Sequence, residues 1–212
     1  MLVYSAMQKE EMMKILNAFR EELQTYSDQL ELHNQMETVL RQDMLDCAKL
    51  SKTESAERSF VRAVFAMIEG SVFNLKQIAL ALSKHGKGNF SQAELVMLDE
   101  VSYDLDDKGI TKSQVKFIPL PKNMRFAFSS AARAFGVAYE LKVDDAGWNM
   151  FKDALLIRNR ITHPKSSDDL KVLDKEVQIV TDAAEWFLKA QRELVEKLMA
   201  RMQRLKEQLE KK

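Results

Sequence analysis

The sequence is poor in the residues that interrupt a chain. Its 212 residues include only six glycines and three prolines. A strand-rich fold needs many tight turns, so this scarcity argues against a sandwich or barrel and for helices with few breaks. Cysteine is scarcer still. Cys47 is the single one, which excludes an intramolecular disulfide and a cysteine-built zinc site. It fits a reducing compartment, and a cytoplasmic location is expected. Neither sign of charge is in excess: 32 Lys and Arg balance 32 Asp and Glu. A dedicated duplex-DNA binder carries a broad basic field, so any nucleic acid here must be met by a local patch. No run of about 18 apolar residues occurs, and no membrane-crossing helix is expected. The start, Met1-Leu2-Val3-Tyr4 followed by Gln8-Lys9-Glu10-Glu11, does not read as a signal peptide.

What is present favours helix. Twelve Met accompany abundant Leu, Ala, Glu, Lys and Gln, side chains that lose little rotamer freedom in a helix. From Ser5 to Leu50 there is no Pro or Gly, and Met12, Leu16, Phe19, Leu23, Tyr26 and Leu30 alternate four and three apart. That is a heptad seam, blurred at His33 and Glu37. It predicts one long helix, or two with a break near His33. Ser51-x-x-Glu54 has the form of a capping box. The stripe that follows runs through Phe60, Val64, Phe65, Ile68, Val72, Leu75, Ala79 and Leu82, and is apolar enough for a central core helix ended by Gly86 and Gly88.

Ser91-x-x-Glu94 opens a short helix by the same box. Residues 102–120 are the least helical part. With the turn signal Asp106-Asp107-Lys108-Gly109, they fit either a small hairpin or an irregular loop. A helix is predicted from Asn123 to Leu141, and another, capped by Asp144 or Asp145, through Trp148, Phe151, Ala154, Leu155 and Arg158. Pro164 ends it at about Thr162, because a residue before proline is pushed out of the helical region. Ser167 is a candidate cap for the next segment. Leu170 to Lys212 lacks Pro and Gly and repeats Leu173, Val177, Val180, Ala184 and Phe187, then Leu198, Met202, Leu205 and Leu209. Its charged faces include Glu193 and Lys197 in the favourable i,i+4 order. The expected organisation is an all-α chain: an N-terminal helical extension over 1–50, a helical domain over 51–190 and a C-terminal extension over 191–212. The terminal helices can pair within the chain or between two chains. Trp148 and Trp186 are expected in the core, His33 at a polar seam position, His85 near a helix end, and Cys47 as a small buried side chain.

Most kinds of site are missing from the sequence. There is no phosphate-binding Gly-x-x-x-x-Gly-Lys-Ser/Thr and no Gly-x-Gly-x-x-Gly. The three histidines, His33, His85 and His163, contain no His-x-x-x-His. No metal site and no cofactor are expected. What stands apart is Arg158-Asn159-Arg160-Ile161-Thr162-His163-Pro164. At about 100° per residue, Asn159 and His163 lie about 40° apart, with Arg158 about 140° from His163. A guanidinium matches phosphate oxygens, an imidazole exchanges a proton near neutral pH, and a helix C-terminus favours its charged form. Cations in a last helical turn also have a purely structural use, since they bond free carbonyls.

Leu156-Ile157-Arg158-Asn159-Arg160-Ile161-Thr162-His163-Pro164 resembles the Arg-x(4–6)-His signature of the HEPN superfamily, in which a polar residue, often Asn, follows the Arg. The approach Phe151-Lys152-Asp153-Ala154-Leu155 and the earlier Phe65-Ala66-Met67-Ile68-Glu69-Gly70-Ser71-Val72-Phe73-Asn74 resemble that superfamily's helices as well. The resemblance covers residues 55–190. It implies a HEPN-like helical bundle that forms a homodimer, acts on RNA without a metal, and serves in defence or as a toxin with an antitoxin or other protein partner. Carried onto this sequence, it makes His163 the general acid or base, Arg158 the stabiliser of phosphate charge, and Asn159 either the positioner of those two or a hydrogen-bond partner of RNA. Glu69 and Asn74 become distal site residues, and Arg160 and Lys165 phosphate contacts. Some toxins of the superfamily carry a Tyr two residues after the His, where this chain has Lys165. A non-catalytic interaction module of the same fold is the competing expectation, drawn from the heptad-like termini and the neutral charge.

Overall fold

The stretches without proline or glycine become long helices. The computed structural model describes residues 6–50 and 52–210, with the side chains of 6–10, 12 and 209 left out, so Met12, Ser51 and Leu209 lie outside the described set. Among the described residues the chain is all-α, with six α-helices and one hairpin.

Helix α1, Ala6–Lys49, runs unbroken through His33. Of the two alternatives, one long helix or two with a break near His33, the first holds, and the buried imidazole finds partners. Its Nε2 lies 3.2 Å from Glu37 Oε2 and 3.3 Å from Gln191 Nε2. Gln191 donates to the same Glu37 oxygen at 2.8 Å. A bonded polar group is tolerated in a core where an orphan would be costly. Burial works against ionisation of Glu37, but hydrogen bonds from His33 and Arg41 outweigh it and hold the carboxyl below its ordinary value.

Helix α2, Glu54–Ser83, has Thr53 as its N-cap, while Ser51 of the expected capping box lies outside the described residues. Thr53 is extended and its hydroxyl accepts the Ala56 N–H at 3.1 Å. By length and composition α2 could cross a membrane, yet 61% of its most apolar window is buried inside the bundle. Helix α1 lies antiparallel along it: Lys87 pairs with Glu22 at 2.9 Å, Thr25 meets His85 just beyond the end of α2, and Leu40 and Met36 sit over Gly70.

Helix α3, Gln92–Leu98, carries the predicted capping box in full. Residues 101–115 then form the hairpin rather than a loop. Strands β1, Val101–Leu105, and β2, Thr111–Val115, pair antiparallel with Tyr103 opposite Ser113. The turn closes because Asp106 accepts the Lys108 and Ile110 N–H groups, both at 2.9 Å.

Helix α4 spans Leu120–Phe135 and stops six residues short of the expected end at Leu141. Gly136 takes φ +63° there, and the Val137 N–H turns back to Ala132 O at 2.9 Å. This left-handed cap is open to glycine at no steric cost. The freed segment sends the Tyr139 hydroxyl to Ala190 O at 2.8 Å. Helix α5, Ala146–Thr162, is capped by Asp145. A 3-10 turn, Asp168–Leu170, follows, and Ser167 makes no side-chain capping bond to it. Helix α6, Asp174–Glu210, packs antiparallel to α5, starting four residues later than expected and leaving Leu173 exposed. Lys197 does not pair with Glu193. It donates to Ala138 O at 2.8 Å and lies over the Tyr139 ring.

The segments expected as extensions share the central core. Leu23, Tyr26 and Leu30 of α1 and Leu194, Leu198, Met202 and Leu205 of α6 are buried in one cluster with Phe65 and Phe128. The terminal helices thus pair antiparallel within the chain. Cys47 is half-buried rather than buried. Trp148, Phe151 and Trp186 stack between α5 and α6, with centroids 5.2 to 5.9 Å apart.

Gly147 makes that aromatic contact possible. A β-carbon there would stand 1.9 Å from Trp186 Cδ1, and the indole is braced by its N–H on Asp145 at 3.3 Å. Gly147→Ala is expected to lose about 1–3 kcal/mol by overpacking, although alanine is the better helix former. A urea denaturation midpoint that rises or stays unchanged would contradict this.

Candidate functional site

Helix α5 presents its motif because the buried positions Trp148, Phe151, Ala154, Ile157 and Ile161 leave Arg158 and Asn159 on the flank facing α2. Helix α2 answers with charged residues seven apart, Arg62, Glu69 and Lys76. Seven residues fall about 20° short of two turns, so the three share one stripe. Each finds a polar partner on another element. Arg62 reaches Ile161 O at 3.5 Å, Glu69 takes Arg158, and Lys76 takes Glu100.

The Arg158 guanidinium is held at both tips. One nitrogen donates to Glu69 Oε1 at 2.6 Å and the other to Asn159 Oδ1 at 3.2 Å. Its carbon lies 5.9 Å from the centre of the Phe65 ring. Burial raises the Glu69 carboxyl above its ordinary value, and the pull of Arg158 does not cancel that rise.

These groups line a cleft of about 550 Å³ between α2, α5 and the segment joining β2 to α4. Glu69 and Phe73 form one wall, Leu155, Arg158 and Asn159 the second, and Val115 to Pro121 with Glu100 and Asn123 the third. His163 is not among the lining residues. It caps α5 with φ −124° and ψ 59°, bonds its N–H to Asn159 O at 3.0 Å and leaves its ring exposed. Pro164 releases it from the helix as expected.

The remaining predicted site residues part ways. Arg160 turns from the cleft and clamps the start of α6, with both Glu176 oxygens at 2.8 Å, Asp169 O at 3.0 Å and Lys171 O at 2.7 Å. Lys165 is exposed, and its N–H is taken by Asp169 at 2.8 Å. Asn74 is buried, and its amide nitrogen has no partner among the described residues. It falls about 140° around α2 from Glu69, near Gly70 on the side facing α1, and does not line the cleft. One chain therefore assembles Glu69, Arg158 and Asn159, and leaves His163, Arg160, Lys165 and Asn74 outside that cleft.

Sequence reasoning missed a second polar group on the third wall. Lys76 is fully buried, and its ammonium meets Glu100 Oε1, which also accepts Asn123 Nδ2 at 3.0 Å. Burial lowers the Lys76 pKa, and the Glu100 contact only partly restores it. Glu100 sits at φ +55°, a conformation that costs a non-glycine residue energy and gathers at functional sites. One signal was available. Lys76 is the single charged residue between Gly70 and Ser83 of an otherwise apolar helix.

Two outcomes follow. Arg160→Ala is expected to destabilise the fold by about 1.5–3 kcal/mol, since its charged hydrogen bonds join two helices, and Lys165→Ala by no more than about 0.5 kcal/mol. Equal denaturation curves for the two variants would refute the distinction. The second outcome concerns pH. A carboxyl whose folded pKa is raised binds its proton more tightly in the folded state, so stability falls as pH rises from its ordinary 4.5 through the folded value. Glu69→Gln is expected to flatten that decline in thermal melts across the window, and an unchanged slope would count against the burial effect.

Compared with protein-family models, curated proteins and solved structures, the chain matches none.

Proposed function

We propose that the chain is a HEPN-like endoribonuclease that cleaves RNA by internal transesterification without a metal. The observation that carries this reading is the Arg158 fork, oriented by Glu69 and Asn159 on the wall of an open cleft, five residues before the exposed His163. A fork fixed from two sides meets phosphate with little loss of freedom, which is how preorganised charge stabilises a transition state. An incoming phosphate replaces Glu69 as the partner of one Arg158 nitrogen.

In this reading a ribose 2′-oxygen attacks the adjacent phosphorus and loses its proton. The bond from phosphorus to the 5′-oxygen breaks, and that oxygen gains a proton. The products are a 2′,3′-cyclic phosphate and a 5′-hydroxyl. His163 takes or gives one of these protons. Because one chain leaves His163 outside the cleft, the complete site draws on a second copy, in agreement with the homodimer that the family resemblance implies.

The competing reading is a non-catalytic interaction module. It is favoured by the resting state of Arg158, whose fork is already filled by Glu69 and Asn159. Cleavage of single-stranded RNA in EDTA separates the two. The wild type is expected to release fragments ending in a cyclic phosphate, with His163→Ala and Arg158→Ala slower by at least about 100-fold. Equal rates for all three proteins, or no turnover by any, would remove the ribonuclease assignment and favour the module.

A further inference from the structure

We propose that strand β2 is a self-association edge, along which a second copy of this chain pairs its own β2 antiparallel about a two-fold axis at Ser113. This supplies the surface for the second copy invoked above, and its geometry does not depend on the ribonuclease reading.

The hairpin ladder fixes which backbone groups are left over. The Asp106 N–H bonds Ile110 O at 2.9 Å, and the Lys116 N–H bonds Glu100 O at 2.7 Å. Bonded pairs alternate in an antiparallel ladder, so Lys112 and Gln114 also turn their backbone groups toward β1. Thr111, Ser113 and Val115 turn theirs away. Three N–H and three C=O groups therefore line the outer edge of β2, and none has a partner among the described residues. All five residues of β2 are exposed. The outer edge of β1 is less open, because Asp104 takes the Leu105 N–H at 2.8 Å. A row of unpaired groups on an exposed edge is a template for another strand.

The sequence of β2 suits a copy of itself. With the axis at Ser113, the two Ser113 residues exchange both bonds, and Thr111 of each copy does the same with Val115 of the other. All six edge groups of each chain are then used. Lys112 falls opposite the neutral Gln114 of the second copy, so no like charges oppose, and Lys112 already has Asp106 at 3.7 Å. Other registers use fewer groups. Moving the axis to Val115 sets Thr111 against Pro119, which has no N–H. Moving it to Thr111 sets Val115 against Asp107 in the turn. The pairing also continues a face. Tyr103, Leu105 and Val115 stand on one side of the hairpin, 59%, 66% and 86% exposed, while Asp104 and Lys112 stand on the other. An axis perpendicular to the sheet keeps those sides together, so four strands carry six apolar side chains on one face. Val115 lines the cleft as well, and each cleft then borders the sheet that joins the copies.

The test is cysteine cross-linking in a Cys47→Ser background, which removes the native thiol. Bonded partners in an antiparallel ladder have Cα atoms about 5.5 Å apart, within disulfide reach. The two Ser113→Cys positions face each other, whereas two Thr111→Cys positions lie roughly 13 Å apart along the strand. Under mild oxidation the Ser113→Cys chain is expected to cross-link at least about tenfold faster. By light scattering over a concentration series, the wild type is expected to approach twice the mass of one chain and Ser113→Pro to stay at one. That proline costs the hairpin no ladder bond, since the Ser113 N–H faces outward. Should Ser113→Pro not fold, the wild-type mass and the cross-linking decide alone. A monomeric wild type, a dimer that persists in folded Ser113→Pro, or equal cross-linking at both positions would overturn the edge. RNA cleavage by a dimer that survives Ser113→Pro keeps the ribonuclease reading and removes this edge. A dimer lost in Ser113→Pro, with no cleavage by the wild type, does the reverse.

Discussion

The structure depends on one helix that cannot be left in water. Helix α2 buries residues from Val61 to Leu82 around most of its circumference, so α1, α4, α5 and α6 must all find room against it. Its one polar stripe, Arg62, Glu69 and Lys76, sets the terms on the remaining side. Lys76 is fully buried and Glu69 partly so, and both regain a partner from another element, as does the exposed Arg62. The C-terminal carbonyls of α5, the Arg158 fork and Glu100 at the root of the hairpin are those partners. Of that stripe Glu69 lines the cleft, where its ion pair with Arg158 joins α2 to α5.

This arrangement explains why packing and site share residues. Glu69 both anchors α5 and orients the Arg158 guanidinium on the cleft wall. Lys76 both fastens the hairpin to the core and fixes the direction of the Glu100 carboxylate. Arg160 and Arg158, two positions apart, face opposite duties because a helix turns by about 200° between them. One closes the junction of α5 with α6, and the other looks into the cleft. The residue types are alike, and only their neighbours separate a clamp from a side chain on the cleft wall.

The long terminal helices answer to a related constraint. A heptad seam tolerates sliding, since apolar contacts are non-directional. His33, Glu37 and Gln191 remove that freedom, because their hydrogen bonds form in one register of α1 against α6 and would be orphaned in others. The same residues that blur the heptad in the sequence thereby fix the pairing in the fold.

By itself the sequence determined the all-α class, the long terminal helices, the capping box at Ser91, the end of α5 at Thr162 and the release of His163, because all of these follow from local backbone and side-chain preferences within a few residues. It stated the alternatives for residues 101–115 without choosing, and it carried α4 too far, because a single glycine at φ +63° outweighed an apolar pattern that continued to Tyr139. The tertiary structure alone decided that α1 and α6 meet within the chain, that Arg158 pairs with Glu69 across 89 positions while Arg160 is spent on Glu176, and that Lys76, Glu100 and Asn123 form one polar group. Those choices depend on which charges face one another once α2 is buried. A helical repeat gives the angle of a side chain around its own axis but not the identity of what stands opposite. The stretch from Arg158 to Pro164 was therefore legible as a motif, and its division into a cleft residue, a clamp and an exposed imidazole was not.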